Sequence, residues 1–217
     1  FTATLIAVCD QLKLDRPAVV GHSMGGTIAL DLALNLETSA VFVAAPIITG
    51  ELTFSVHLLL TSPAARRFLR WLRRQRFFSA LGSMKPIAVP NLTRDPSRKR
   101  RQQDLQRTTL NAAVGSLRTV VGAHLEDHLE EITAPTLILV GGRDSTVAPS
   151  QGKLAALRIP NARLVEWPAV GHAMVDDRPD EFDQLLINHL KSTTQAKAEP
   201  TAAAARSLRG DLVAASS

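Results

Sequence analysis

The chain has 217 residues, of which 45% are hydrophobic and 21% are charged, and its formal net charge is +5. This composition supports one good core and excludes a disordered or fibrous chain. The single cysteine, Cys9, excludes an internal disulfide and a multi-cysteine zinc site, and we interpret it as a small core residue of a cytoplasmic protein. No apolar run has the length of a membrane span and no basic leader opens the sequence, so we expect neither a span nor a signal peptide.

The first 46 residues alternate between helical and strand patterns. Apolar residues at helical spacing predict a helix over residues 2–13. The wholly apolar stretch PAVVG (17–21) then predicts a strand, the alanine- and leucine-rich residues 23–36 predict a helix, and AVFVAA (40–45) predicts a second strand. Apolar strands separated by helices indicate a parallel sheet covered on both faces.

Residues 47–133 break this alternation. Their patterns are helical only (54–60, 63–81 and 97–129), and they hold fourteen basic against seven acidic residues, so the whole charge excess lies there. We expect an all-helical cap inserted into the sheet domain.

The arginine-rich stretch of this cap, residues 62–83, contains Phe68, Trp71 and Leu72 among six arginines. We interpret it as a cap helix that buries its aromatic stripe and solvates its arginines. The alternatives are a lid for a lipid-like or anionic substrate and an interfacial helix that contacts acidic lipids. The basic stretch at 94–103 lacks interleaved aromatic residues, so we interpret it as a solvated loop and expect no nucleic-acid partner.

The sheet pattern returns at residues 134–192. Strands are predicted at 134–142 and 162–168, followed by a closing amphipathic helix that begins at the sequence DRPDEF. The alanine-rich residues 193–217 have no sustained apolar face and predict a disordered tail. Residues 1–46 and 134–192 are therefore expected to form one core in two parts, with 47–133 as its cap.

A glycine-flanked serine, Ser23, stands between the first strand and the following helix in VVGHSMGG. Serine is also a favoured helix N-cap, which is the competing interpretation. Gly21 and Gly25 would permit a sharp turn that exposes the hydroxyl, and the N–H of Met24 would face a developing oxyanion at the helix N-terminus. The context favours a nucleophile.

A serine nucleophile needs a base and a group that orients the base. Of six histidines, His172 lies in a loop between the last strand and the last helix, at the sheet edge where Ser23 emerges. His124 and His128 are spaced as in a zinc-protease helix but lack its glutamate, so we interpret them as an exposed face. Asp144 follows a strand at the same edge and is favoured as the orienting acid over Asp176 and Asp177.

Three segments, in the order VVGHSMGG, PTLILVGGRDSTVAP and PAVGHAMVDDRPDEF, resemble the nucleophile elbow, acid loop and histidine loop of the α/β-hydrolase superfamily. The resemblance implies a partial α/β-hydrolase fold with a helical cap. It also implies that Ser23 attacks a carbonyl, His172 transfers the proton and Asp144 orients the imidazole. The expected substrate is a small ester, thioester or related acyl compound, with no cofactor or metal. The candidate substrate or lid contacts are His22, Phe68, Trp71, Leu72 and Met174.

The chain departs from this family ahead of residue 2. Family members place four further strands and a helix there, and one of their loops supplies the second oxyanion donor. The predicted strand at 17–21 would therefore be an exposed apolar edge that favours aggregation or pairing with another chain. Two hypotheses compete with a hydrolase: a catalytically impaired or non-catalytic module that binds a partner through this edge, and a peripheral lipid-binding protein.

Overall fold

The computed structural model describes residues 1–51, 62, 64, 67 and 109–194. The chain divides into two compact units, Phe1–Ile48 with Leu125–Ser217, and Thr49–His124. The arginine-rich stretch with Phe68, Trp71 and Leu72, the predicted helices at 54–60 and 63–81, and the predicted tail beyond 194 lie outside the described residues, apart from isolated positions.

The first unit contains a parallel four-stranded sheet. Its elements in chain order are α1 (Thr2–Gln11), β1 (Ala18–His22), α2 (Met24–Asn35), β2 (Ala40–Ala44), a 3-10 turn (Leu129–Glu131), β3 (Thr136–Gly141), α3 (Pro149–Arg158), β4 (Ala162–Trp167), α4 (Met174–Asp177) and α5 (179–194). The strand order β1-β2-β3-β4 follows the chain, and each neighbouring pair is parallel.

Burial of the strands follows their place in this sheet. Every residue of β2 and β3 is buried, as expected for strands with a neighbour on each side and helices on both faces. The core cluster joins these strands to α2 and α3 through side chains that include Leu30, Val43 and Ile138, all fully buried. Predicted strands and helices of residues 1–46 and 134–192 are thus confirmed within a few residues of their bounds.

Two elements differ from the sequence prediction. The helix α3 was not predicted, although Pro149 at its first turn is a standard helix-start signal. The predicted helix at 97–129 ends earlier in the described part, because residues 123–128 form a turn that leads into the 3-10 segment.

The second unit contributes one described helix, αC (Leu110–Val121). The Thr109 hydroxyl caps it by accepting a hydrogen bond from the Ala112 N–H at 3.1 Å. Gly50 packs beside its end with φ +70°, where a Cβ would lie 2.2 Å from the Val121 carbonyl oxygen. Only glycine fits this close approach.

None of the helices among the described residues is long and apolar enough to cross a membrane. Cys9 is 8% exposed and unpaired as a thiol, in agreement with its interpretation as a core residue.

Candidate active site

Ser23 lies at a strained turn directly between β1 and α2. Its backbone has φ 56° and ψ −122°, a conformation that residues other than glycine rarely adopt. Its N–H donates to the Ala44 carbonyl at 2.8 Å, while its own carbonyl accepts from Gly26 and Thr27 in the first turn of α2. The turn is therefore fixed from both sides, and backbone strain of this kind is typical of a functional site.

The glycines around this turn have different roles. A Cβ on Gly21 would lie 2.1 Å from the Gly25 carbonyl oxygen, so the chain can fold back only if residue 21 has no side chain. Gly26 packs 3.3 Å from the Pro46 Cα by the same measure. A Cβ on Gly25 would meet nothing within 4 Å. The steric requirement for glycine that we expected at residue 25 is therefore not found.

The Ser23 side chain does not cap α2. The hydroxyl makes no capping hydrogen bond to the helix, which argues against the N-cap interpretation. Instead Ser23 Oγ lies 3.0 Å from His172 Nε2. Met24 is the first residue of α2, so its N–H has no partner within the helix.

His172 lies between Ser23 and Asp144. Its Nδ1 donates to Asp144 Oδ2 at 2.7 Å, which leaves Nε2 of the neutral ring to accept the Ser23 hydroxyl proton. The side chain of His172 is 24% exposed and that of Asp144 is 1% exposed. The imidazole thus reaches solvent while its carboxylate partner does not.

Asp144 is held as an anion by its hydrogen bonds. Its Oδ1 accepts from the N–H groups of Thr146 (2.8 Å) and Val147 (2.9 Å), and Oδ2 accepts from His172. Burial alone would raise the pKa of the Asp144 carboxyl, but these hydrogen bonds outweigh burial and hold its pKa below the ordinary 3.8. The carboxylate is therefore charged and fixed in orientation.

Close packing of two loops brings Asp144 and His172 together. A Cβ on Gly141 would lie 2.4 Å from the Gly171 carbonyl oxygen, and one on Gly142 would lie 2.8 Å from the Pro168 carbonyl oxygen. Arg143 N–H also donates to the Val170 carbonyl at 3.0 Å. This function of the Gly-Gly pair was not predicted from the sequence, although a glycine pair at a strand end is a signal of close backbone approach.

The remaining candidate residues take different places. Asp176 and Asp177 are exposed in α4, and their N–H groups bond to the Ala173 carbonyl. His128 is exposed and contacts Glu131 in the 3-10 segment rather than on a long helix. Among the residues that the structure describes, no cluster of histidine, cysteine or acidic residues could hold a metal ion.

Two of the candidate substrate contacts, Met174 and His22, lie among the described residues. Met174 is fully buried at the start of α4, and its contact with substrate stays a prediction. His22 bonds through Nε2 to the main-chain carbonyl of His172 at 2.7 Å. This contact could not be predicted from sequence because it joins residues 150 positions apart.

The chain as a whole is similar to several named proteins. "Putative carbamate hydrolase RutD" of Klebsiella pneumoniae subsp. pneumoniae is 26% identical over 194 residues, covering 87% of this chain and 71% of the relative. The solved structure of a hydrolase from Pseudomonas aeruginosa has 25% identity and a TM-score of 0.66, covering 87% of this chain and 70% of its own. An esterase from Exiguobacterium antarcticum shares the fold at a TM-score of 0.69, with 22% identity and coverage of 88% and 72%.

The family model described as "Alpha/beta hydrolase family" matches residues 1–185, which is most of the chain and includes the four strands found among the described residues. The match spans the Ser23 turn, the Asp144 loop and the His172 loop. By this match the chain belongs to the alpha/beta hydrolase family.

Proposed function

We propose that this chain is a serine hydrolase that cleaves a small ester, thioester or related acyl compound through an acyl-enzyme. The observation that carries the proposal is the continuous hydrogen-bonded chain from Ser23 Oγ to His172 to Asp144, with distances of 3.0 and 2.7 Å. The names of the relatives, among them a carbamate hydrolase and an esterase, support hydrolysis of a carbonyl compound.

The geometry supports two half-reactions. Ser23 Oγ forms a bond to the substrate carbonyl carbon while its proton moves to His172 Nε2, and the carbonyl π electrons move onto oxygen. Collapse of the tetrahedral intermediate breaks the bond to the leaving group, which takes the proton from Nε2 and leaves an acyl-serine. Water then attacks the acyl carbon while one of its protons moves to His172 Nε2. Collapse of this second tetrahedral intermediate breaks the bond to Ser23 Oγ, which takes the proton back from Nε2 as the carboxylic acid leaves.

Two groups stabilise the charges that develop in these steps. Asp144 stabilises the imidazolium form of His172 across the 2.7 Å contact and fixes which ring nitrogen faces Ser23. We assign the Met24 N–H, at the first position of α2, as a donor to the oxyanion. The contribution of Phe68, Trp71 and Leu72 to an apolar, lipid-like or anionic substrate preference stays a prediction.

Labelling with a fluorophosphonate probe tests this function directly. The purified chain is expected to react at one serine and to hydrolyse p-nitrophenyl acetate, whereas Ser23→Ala should do neither. Ser150→Ala, at an exposed serine of α3, is the matched control and should react as the wild type does. A folded wild-type chain that stays unlabelled and inactive would refute the proposal, as would labelling that persists in Ser23→Ala.

A separate observation favours a second candidate function, binding of a further β-strand along β1. The Pro17 carbonyl and the Ser23 N–H both bond toward β2. Because successive residues of a parallel strand face alternate sides, Ala18, Val20 and His22 direct their N–H and C=O groups to the other side. That side has no neighbouring strand among the described residues.

The surface beside β1 is apolar. A groove of about 700 Å³ lies there, and Val20 is 48% exposed. The groove is lined by apolar side chains, glycine and one threonine: Phe1, Thr4, Leu5, Ala18, Val19, Val20, Gly25, Ile28, Ala29 and Leu32. By contrast, the outer strand β4 carries Arg163 and Glu166, charges of the kind that protect an open edge. We infer that β1 binds a further apolar strand along this side.

A further inference from the structure

His22 is the last residue of β1 and directly precedes the nucleophile. Its Nε2 lies 2.7 Å from the main-chain oxygen of His172, and the two imidazole rings have centroids 4.9 Å apart at an angle of 43°. A carbonyl oxygen only accepts hydrogen bonds, so His22 must carry a proton on Nε2. The residue therefore acts here as a donor with a fixed tautomer.

The main chain around His172 has no regular secondary structure. Residues 168–173 connect β4 to α4, and the first part of this loop is fixed where Val170 bonds to Arg143 and to Trp167. Ala173, at the far end, accepts from the N–H groups of Asp176 and Asp177. Between these two anchors, the His22 ring fixes the main chain of His172.

The position of that main chain decides the geometry of the proton relay. The imidazole of His172 must reach Asp144 with Nδ1 and Ser23 with Nε2 at the same time. A displacement of about 1 Å at such a group typically costs about 10²-fold in rate. A bond from the residue next to Ser23 to the main chain of His172 couples the positions of nucleophile and base.

We propose that His22 is a positioning residue for the hydrolase reaction, whose Nε2–H holds the main chain of His172 at the distance that the Ser23 hydroxyl requires. This inference rests on the proposed function. It assigns His22 to the support of the base rather than to contact with substrate.

The charge state of His22 agrees with this role. Burial lowers its pKa below the ordinary 6.5, against the raising effect of the bond to the His172 carbonyl, and the nearby imidazole of His172 lowers it further. The titratable groups that face it are His172, Asp144 and Asp176, of which the two carboxylates raise its pKa. A neutral His22 adds no like charge beside the imidazolium that His172 forms during catalysis.

Two substitutions test the hydrogen-bond donor of His22 separately from the bulk of its side chain. His22→Gln keeps an amide N–H at a similar reach, and His22→Leu keeps bulk without a donor. We expect His22→Leu to lower kcat by about 10- to 100-fold with KM nearly unchanged, and His22→Gln to restore most of kcat. Thermal unfolding of each variant checks that it is folded.

Hydrogen exchange gives a measurement that needs no turnover. Amides of residues 169–173 should exchange faster in His22→Leu than in the wild type, and His22→Gln should restore their protection. In the wild type, ¹⁵N spectra of the histidines should show His22 protonated on Nε2, a result that does not depend on any variant folding.

Three results would overturn the inference: equal kcat in His22→Leu and the wild type, equal losses in the leucine and glutamine variants, or a His22 protonated on Nδ1 alone. A wild-type chain with no hydrolysis and no probe labelling would instead refute the proposed function, while the exchange and tautomer measurements would still report on the His22 contact.

Discussion

The carboxyl end of the sheet and the flank along β1 differ in chemistry although they share a strand. At the carboxyl end, Ser23, His172 and Asp144 are polar and bonded to one another, and both oxygens of Asp144 have donors. Along the flank, Val20 is half exposed, the adjacent groove has no charged side chain, and three residues of β1 direct backbone groups outward.

This contrast indicates which region is complete within the described residues. Each side chain of the set Ser23, His172 and Asp144 already has a hydrogen-bond partner. The flank has open hydrogen-bonding groups and apolar surface, a combination that favours addition of another strand. Catalysis and strand binding are therefore expected to respond to different substitutions.

The largest expected effect is at the carboxyl end. Asp144→Asn should lower kcat by about 10⁴-fold, because an amide in place of the carboxylate no longer fixes the ring tautomer or stabilises the imidazolium. Stopped assays with p-nitrophenyl acetate and thermal unfolding measure the rate and the fold separately.

Asp176→Asn is the matched control for Asp144, since it removes the carboxylate that competed with Asp144 in the sequence. It should change kcat by less than about tenfold, because Asp176 is exposed and lies in α4 rather than against His172 Nδ1. Similar losses of kcat in both variants would mean that Asp144 is not the orienting acid. The carboxyl end would then no longer differ from the flank in the way described above.

A smaller effect is expected from pH on stability. Burial lowers the pKa of both His22 and His189 below 6.5. His189 bonds to the Val41 carbonyl and faces Arg163. Below about pH 6.5 the unfolded chain therefore binds more protons than the folded chain does. The free energy of unfolding should fall as the pH drops toward the pKa that each histidine has in the folded chain. One unit of pKa difference is worth about 1.4 kcal/mol.

Urea unfolding at pH 5, 6 and 7.5 measures this dependence. His22→Gln should remove the part of this pH dependence that arises at the carboxyl end of the sheet. His189→Gln should remove the part that arises in the core under α5. A second loss is expected as pH falls below 3.8, because the lowered pKa of Asp144 stabilises the fold above that value. Stability that is flat between pH 7.5 and 5 would contradict the assignment of buried neutral histidines.

The smallest expected effect is at the flank. Val20→Lys should weaken self-association of the purified chain several-fold, since like charges across a strand pair cost roughly 0.2–1 kcal/mol, and should leave kcat unchanged. Leu157→Lys, at a side chain 84% exposed on α3, is the control for adding the same charge elsewhere. Sedimentation velocity measures the association.

Equal sedimentation of the wild type, Val20→Lys and Leu157→Lys would show that two copies do not pair along β1. A reduced kcat in Val20→Lys would contradict the separation between the two regions, because it would link the flank to the relay.

Much of the fold was predictable because its determinants are local. Continuous apolar runs predicted β2 and β3, which are buried throughout, and the glycines around Ser23 predicted a turn between strand and helix. The order of Ser23, Asp144 and His172 along the chain predicted three loops at one sheet edge, since parallel strands direct their carboxyl ends the same way. The helix α3 was missed because its apolar face is weak, so tertiary packing and Pro149 decide it.

The sequence by itself determined the positions of the strands along the chain and the residue types at their ends, because hydrophobic period and turn chemistry act over a few residues. The sequence favoured Asp144 over Asp176 as the partner of His172 but specified no contact. Only the tertiary structure decided that His172 bonds to Asp144 and that the ring of His22 bonds to the main-chain carbonyl of His172. Both outcomes depend on loops that approach through Gly141 and Gly142, and hydrogen bonds form over distances that sequence separation does not specify.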